Sequence, residues 1–423
     1  LLIESLSSWY PTINLSANGL PQYLEAEQYN SSSADTSSKQ WKANISIKLS
    51  WDLIDPARIP EISAARDEFE KANASLLIVI RDLQLEATSK YFLLQQSDEG
   101  IRIGKESIKA SETSLLDAKN KFKSGLGTRL EILEAEAQLS RDKQLLINKM
   151  VDQNINQRSL ATALNLPEYI SPIAATPPTL LGVWETSLED SINQAYSYRE
   201  RLKNLLLDIS ISNNNANSAL ASSQPTISLV NTLSNSYTKG ELATSTPDMS
   251  KTGSSLSNTI GLNATWNIFD GGKAQALYKY NKYKAKEARS KYIEAKALIR
   301  QEVEESYYKL QAANLNIMSR TRELIAAKES LRLARLRFKE GIATQREIVN
   351  NQRDLTAAEV GQTDAITSYN TNITELIRKT GIKNIKPCKP NTINSSISIE
   401  EEKINTYPLK SFPIISACEL RNP

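Results

Sequence analysis

Few residues of this sequence could carry chemistry. The chain has no histidine, the commonest general base, proton shuttle and metal ligand. Its two cysteines, Cys388 and Cys418, have too few partner ligands for a zinc site, and they either form a structural disulfide or stay unpaired. Residues 270–272, Asp-Gly-Gly, lack the lysine of a phosphate loop and indicate a strand-to-helix turn. Without a Ser-His, Cys-His or paired-carboxylate arrangement, we expect neither an enzyme nor a cofactor or metal site.

The composition favours long helices over one compact core. Among 423 residues, 51 are basic and 48 acidic, so the net charge of +3 gives no reason to expect a nucleic acid partner. Aromatic residues make up 6% and only 14 residues are glycine. Mean hydropathy is −0.40, and no apolar run approaches the ~20 residues of a membrane-spanning helix.

The chain contains two copies of one unit. Residues 122–125, Phe-Lys-Ser-Gly, recur as 338–341, Phe-Lys-Glu-Gly, at an offset of 216. The same offset relates several further pairs, namely Tyr91 and Tyr307, Leu94 and Leu310, Thr128 and Thr344, and Glu131 and Glu347. Trp51 and Trp266 follow at an offset of 215, and Pro11 and Pro225 at 214. An ordered series of this kind indicates an internal repeat.

The sequence of each unit predicts two amphipathic strands. Residues 45–53 and 260–268 alternate between apolar and polar side chains, as do 13–17 and 227–229. Residues 31–38 and 234–257 are rich in Ser, Thr and Asn, and we expect exposed loops there. The sequence therefore predicts β-hairpins at 11–55 and 224–270, with strands of about ten residues, the length that crosses a bilayer in a barrel.

Long helical hairpins are predicted at 56–164 and 271–381. Apolar residues advance there by about 3.56 residues per step, between a straight helix and a coiled coil. Helices of about 65 residues would be ~100 Å long and need neighbouring helices along their length. Gly125 and Gly341 are predicted C-caps. Thr128 and Thr344, each with glutamate three residues later, predict capping boxes at the start of return helices 129–164 and 345–380.

The other segments are less periodic. Residues 1–10 resemble the end of a truncated helix, and 187–223 predict a helix in the second unit. Its counterpart is missing before Pro11, so we expect the gene product to carry that helix and a signal peptide ahead of Leu1. Residues 165–186, with four prolines, predict a linker packed on the outside or an irregular equatorial segment, and 382–423 predict a tail.

Four strands cannot close a barrel, and an open sheet edge in lipid leaves backbone groups unsatisfied. Closure must then come from other subunits. Two chains would give eight strands and a lumen filled by side chains, whereas three would give twelve and could leave a passage. We expect the odd-numbered residues of 45–53 and the even-numbered residues of 260–268 to face lipid. Trp51 and Trp266 would then form an interfacial aromatic belt rather than a core.

The repeat, both turn motifs, residues 266–272 (Trp-Asn-Ile-Phe-Asp-Gly-Gly) and 198–202 (Tyr-Arg-Glu-Arg-Leu) resemble the TolC-like outer membrane efflux protein family over about residues 11–381. The resemblance implies an α+β membrane protein. It implies a homotrimer with a twelve-stranded barrel in outer-membrane lipid, continued by a long periplasmic α-helical barrel of coiled-coil hairpins. The implied location is the outer membrane of a Gram-negative-type bacterium. The implied function is a passive exit duct for tripartite efflux or type I secretion, with a periplasmic membrane-fusion adaptor and an inner-membrane pump of RND or ABC type.

In that family the two turns carry a docking glycine and acidic residues at a closed entrance. The corresponding docking residues here are Phe122, Gly125, Leu126, Thr128, Phe338, Gly341, Ile342 and Thr344. The corresponding gate residues are Glu131, Glu347 and Asn350. Phe338 and Ala343 stand where well-known members place gate-closing Tyr and Arg, so the resemblance does not carry that closure over. Six carboxylates in a trimer would make the entrance cation-preferring.

Two alternatives stay open at this point. The turns could be helix caps alone, with no role in docking or gating. The chain could also be a soluble structural coiled-coil protein, which explains the long helices but leaves the alternating strands without a purpose. Extraction from the membrane distinguishes a coiled-coil protein from an outer-membrane channel, because a barrel protein needs detergent and a soluble coiled coil does not.

Overall fold

The computed structural model describes residues 2–28, 36–241, 250–382 and 385–386. Cys388 and Cys418 lie outside these ranges. The chain divides into two compact units, Leu1–Ala74 with Lys203–Ile293, and Ser75–Leu202 with Glu294–Pro423. In chain order the elements are α1 (Leu2–Ser7), β1 (Thr12–Gln28), β2 (Thr36–Ile54), α2 (Arg58–Lys123), α3 (Arg129–Ala163), β3 (Val183–Trp184), α4 (Leu188–Tyr198), α5 (Glu200–Ala221), β4 (Thr226–Glu241), β5 (Ser250–Thr265), α6 (Lys273–Lys339), α7 (Gln345–Thr380) and β6 (Ile385–Lys386).

The first unit holds a four-stranded antiparallel sheet in the order β1-β2-β4-β5. The strands run longer than expected, at 16 to 19 residues. The expectation of a loop is wrong for residues 234–241 and 250–257, because β4 continues to Glu241 and β5 begins at Ser250. Ser234 lies opposite Ser257, and their hydroxyls are 2.8 Å apart. Such cross-strand pairs let a serine-rich segment stay in a sheet.

The register places most of the apolar residues of all four strands on one face. Ile47 lies opposite both Leu15 and Leu233, and Leu229 lies opposite both Trp51 and Leu262. Residues directly opposite one another share a face, so the strand alternations coincide across the sheet. The other face carries mainly Ser, Thr and Asn. The strand predicted to end at residue 268 ends earlier in the structure, because β5 stops at Thr265 and Trp266 lies outside it.

The long helices are confirmed. Helix α2 has 66 residues and α6 has 67, and the return helices α3 and α7 have 35 and 36. Asp270 opens α6, because its carboxylate accepts hydrogen bonds from the N–H groups of Gly272 and Ala274 at 2.8 and 2.7 Å. Gly271 and Gly272 both adopt positive φ, at 69° and 87°. The Asp-Gly-Gly stretch is thus the expected strand-to-helix turn.

The single helix expected at 187–223 is interrupted at Arg199, which adopts extended backbone angles between α4 and α5. The interruption turns two charged side chains toward distant partners. Arg199 Nη1 lies 2.6 Å from Glu302, and Glu200 lies 2.9 Å from Arg81. Local sequence favours a continuous helix, but these ion pairs stabilise the break.

The equatorial segment 165–186 belongs to the second unit. Its strand β3 pairs with β6, which comes from the predicted tail. Trp184 is buried and donates its indole N–H to Ser191 at 3.0 Å. The hydroxyl of the buried Tyr369 donates to the carbonyl of Gly182 at 2.8 Å. Burial raises the pKa of Tyr369 to about 12, so this donor stays protonated. Across the described ranges, the helices lack the combination of length and apolar content needed to cross a membrane.

Candidate docking and gating site

Each long helix ends in a Schellman motif. The N–H of Gly125 donates to the carbonyl of Phe122 at 3.0 Å, and the N–H of Leu126 donates to the carbonyl five residues earlier at 2.9 Å. Gly341 and Ile342 make the same two bonds at 3.1 and 2.9 Å. Both glycines have left-handed φ, 73° and 76°, which a residue with a Cβ adopts only at a cost. The predicted C-caps are confirmed.

The two return helices begin differently. Thr128 forms a full capping box, in which its hydroxyl accepts from the N–H of Glu131 and the Glu131 carboxylate accepts from the N–H of Thr128. Thr344 accepts from the N–H of Glu347, but the Glu347 carboxylate is 2.5 Å from Arg337 Nη1 instead. The prediction of a second full capping box is therefore wrong. The hydrogen bond from the Thr344 N–H to the Glu347 carboxylate is missing, because an arginine on α6 competes for that carboxylate.

The turns expose apolar side chains. Leu126 is 82% exposed, Ile342 70% and Phe122 46%. No atom lies within 4 Å of the position that a Cβ would take on Gly125 or Gly341. Each turn thus presents an open surface of small and apolar groups.

Phe338 differs from Phe122, although the two are equivalent in the repeat. Its ring is only 7% exposed and packs against Leu331 and Ile348. The Lys121 ammonium lies 3.2 Å from the centroid of that ring, an arrangement that favours a cation–π interaction. The structure therefore places Phe338 between the hairpins, and not on the exposed surface that the docking expectation gave it.

Within one chain, the two expected gate glutamates have separate partners. Glu131 is held in its capping box, Glu347 pairs with Arg337, and Asn350 is an exposed residue of α7. The pairing of Glu347 removes free negative charge from the expected carboxylate ring. Among the described residues, no group of three or more potential ligands could hold a metal ion.

Sequence analysis missed the contacts that join the two hairpins. Arg346 Nε on α7 donates to Glu134 on α3 at 2.8 Å, and a second guanidinium nitrogen donates to the same oxygen. The buried Gln345 donates its amide N–H to the Ser114 hydroxyl on α2 at 2.5 Å. A cavity of about 420 Å³ lies between the hairpins, lined by Ser114, Gln138, Phe338 and Gln345 among others. Arg346 and Glu134 are 212 residues apart, so no local pattern indicates their contact.

A second ion cluster forms at residues 199–201. Arg199 and Lys379 lie 2.6 and 3.4 Å from the same carboxylate oxygen of Glu302. Burial by itself raises the pKa of Glu302, but the hydrogen bond and charge of Arg199, helped by Lys379, outweigh it and hold that pKa below its ordinary value. The Tyr-Arg-Glu-Arg stretch thus fixes the start of the second repeat against α6 and α7.

Trp51 and Trp266 make equivalent hydrogen bonds in the first unit. The indole N–H of Trp51 donates to the carbonyl of Trp9 at 3.0 Å, and that of Trp266 donates to the carbonyl of Ser223 at 3.1 Å. Each acceptor lies just before the first strand of its hairpin. Both rings remain partly exposed, so each tryptophan combines a hydrogen-bonded indole N–H with an outward apolar ring.

Comparisons with known proteins agree with this geometry. Similar solved structures include the outer membrane protein VceC from Vibrio cholerae, at 13% identity and a TM-score of 0.71, covering 90% of this chain and 89% of that one. The CmeC outer membrane channel of Campylobacter jejuni gives 16% identity and a TM-score of 0.70, covering 90% and 79%. The open MtrE outer membrane channel of Neisseria gonorrhoeae gives 18% and 0.68, covering 90% and 82%. These likenesses show a shared fold.

No curated protein sequence matches the chain. The model of the outer membrane efflux protein family matches residues 5–166 and 191–381, which is most of its length. That match includes both β-hairpins, both helical hairpins and both turns. The chain therefore belongs to the outer membrane efflux protein family, whose members are transport channels of the outer membrane that extend into the periplasm.

Proposed function

We propose that three copies of this chain form the exit duct of a tripartite efflux or type I secretion assembly. The duct passively conducts substrates from a periplasmic adaptor and an inner-membrane pump to the exterior. The observation that carries the proposal is the four-stranded sheet, which has one mainly apolar face and whose outer strands, β1 and β5, have no strand partner on their outer edges among the described residues. Leu15 and Leu262, on those outer strands, are 72% and 70% exposed.

Such a sheet is incomplete by itself in a bilayer. The outer edges of β1 and β5 leave backbone N–H and C=O groups that lipid cannot satisfy. Joining β5 of one chain to β1 of the next removes every edge when the ring closes. Three chains contribute twelve strands, and the apolar face then meets lipid while the Ser-, Thr- and Asn-rich face lines the lumen.

The helices expose apolar residues that three-fold assembly would cover. On α2, Leu76, Ile80 and Leu83 are exposed at steps of four and three. On α3, Ile147, Val151 and Ile155 are exposed at steps of four. Apolar residues at this spacing are typical of helices that pack against neighbouring helices.

The assembly is tested by the mass of the detergent-extracted protein, which we expect to equal three chains. Leu15→Arg places a charge on the apolar face and should cost about 2–4 kcal/mol if that face meets lipid, so trimer yield should fall. Ser46→Arg, on the opposite face of β2, is the control and should leave the yield intact. A stable monomer, or extraction without detergent, would favour the soluble coiled-coil alternative.

The turns are the proposed adaptor-docking surface. The support is the exposure of Leu126 and Ile342 and the open space above Gly125 and Gly341. The double variant Leu126→Asp with Ile342→Asp should lose chemical crosslinking to the adaptor while the trimer persists. Tyr169→Asp, which changes an equally exposed residue of the equatorial segment, should keep the crosslink.

We place the entrance gate at the same turns. The Arg346–Glu134 pair and the Gln345–Ser114 hydrogen bond join the hairpins of one chain, so they stabilise one relative arrangement of the hairpins. Opening requires a second arrangement in which these contacts break. Glu131 lies three residues before Glu134, and Glu347 and Asn350 lie one and four residues after Arg346. Glu347 is paired with Arg337.

A further inference from the structure

Two lysines of β2 lie on the polar face of the sheet. Lys42 lies opposite Gln22 on β1 and Thr238 on β4. Lys48 lies opposite Asn14 and Thr232 on the same two strands. Every cross-strand neighbour of these lysines is uncharged, so none of them neutralises the ammonium groups.

Negative charge is scarce on this face. Among the side chains that the structure describes, Asp52 is its only carboxylate, and it stands about 13 Å along the strand from Lys48 at 3.3 Å per residue. Neither Lys42 nor Lys48 has an acidic partner within 4.0 Å among these residues. The opposite face differs, because Lys39 pairs there with Glu25 at 2.9 Å. The polar face therefore carries an excess of positive charge.

We propose that Lys42 and Lys48 make the lumen of the strand barrel anion-selective, so that the duct favours solutes bearing carboxylate, sulfate or phosphate groups over cations. This inference rests on the proposed trimer, in which the polar face lines the lumen. Each lysine then becomes a ring of three, and the two rings lie about 20 Å apart along the strands. A solute crossing the barrel passes both.

The expected size of the effect follows from the geometry. Twelve strands 4.8 Å apart and tilted by about 40° enclose a barrel of about 12 Å backbone radius. At 0.1 M salt the Debye length is about 10 Å, so the fields of three lysines reach the axis, and they should favour a monovalent anion over a cation by about three-fold. At 1 M salt the Debye length is about 3 Å, and the preference should vanish.

The test is the reversal potential of the purified full-length channel in a planar bilayer under a KCl gradient. We expect chloride preference near 0.1 M KCl, its loss near 1 M, and its loss at low salt in Lys42→Gln with Lys48→Gln. Lys42→Glu with Lys48→Glu should turn the preference toward potassium. Lys239→Gln is the matched control, because Lys239 belongs to β4 but lies opposite Trp41 on the apolar face.

Several results would overturn the inference. An unchanged reversal potential in the double lysine variant would do so, as would a chloride preference that persists at 1 M KCl. Selectivity abolished only by Glu131→Gln with Glu347→Gln would place selection at the turns. Failure of the proposed function looks different, because a chain that forms no trimer gives no channels at all.

Discussion

Replacing Arg346 with glutamine removes the ion pair that joins the two helical hairpins of one chain at their turns. Arg346 is 64% exposed and Glu134 20%, so solvent screens the pair in part, and it should be worth about 0.5–1 kcal/mol. Three-fold assembly triples the contribution to a concerted opening. The closed arrangement would then lose about 1.5–3 kcal/mol, which raises the open-to-closed ratio roughly ten- to hundred-fold.

Single-channel recording of the purified trimer measures this ratio as open probability. Arg346→Gln and Glu134→Gln should raise it to a similar extent, and the double variant should do little more, because either change removes the same pair. The exchange of Arg346→Glu with Glu134→Arg should restore closure. High salt should reduce the difference between native and variant channels, since the pair is partly exposed.

Arg353→Gln provides the matched control. Arg353 also lies on α7, but it faces Asp354 on its own helix at 3.5 Å and does not join the hairpins. The open probability of the Arg353→Gln channel should equal that of the native channel. If Arg346→Gln and Glu134→Gln behave like this control, the contact between the hairpins does not hold the entrance closed and the gate lies elsewhere.

Three further changes test the folding argument. Thr128→Ala breaks a full capping box and should cost about 1 kcal/mol in chemical denaturation followed by circular dichroism, whereas Thr344→Ala, where half the box forms, should cost less. The pKa of Glu302 beside Arg199 is lower in the folded protein than its unfolded value of 4.5. The ion pair therefore stabilises the fold fully above pH 4.5, and this stabilisation is lost as the pH falls through the folded pKa. The thermal midpoint should therefore fall more steeply on acidification in the native protein than in Glu302→Gln. Tyr369→Phe leaves a backbone carbonyl without its buried donor and should cost about 1–3 kcal/mol in the same denaturation.

The sequence by itself determined the features that depend on neighbouring residues. The bonded residues of the glycine caps are at most five positions apart, and those of the threonine caps three, so their residue types predict them directly. The spacing of apolar residues predicts the long helices because a helix repeats the same local geometry at every turn. The repeat extends these predictions from one half of the chain to the other.

Distant contacts decided the features that were predicted wrongly. The break at Arg199 depends on Glu302, 103 residues away. The second capping box fails because Arg337 reaches Glu347 from the preceding helix. The strands continue through 234–241 and 250–257 because paired hydroxyls and backbone groups across the sheet stabilise them, although their composition is that of a loop.

In the candidate site, Phe122 and Phe338 show most clearly the difference between what local sequence determines and what distant contacts determine. Both belong to a Phe-Lys-x-Gly turn at equivalent positions, and the sequence assigns them one role. The structure leaves Phe122 46% exposed and Phe338 7% exposed. Local geometry sets the turn, but burial depends on which side chains of other helices pack beside each ring. The Lys121 and Ile348 contacts that cover Phe338 come from outside its own helix, and only the tertiary structure brings them there.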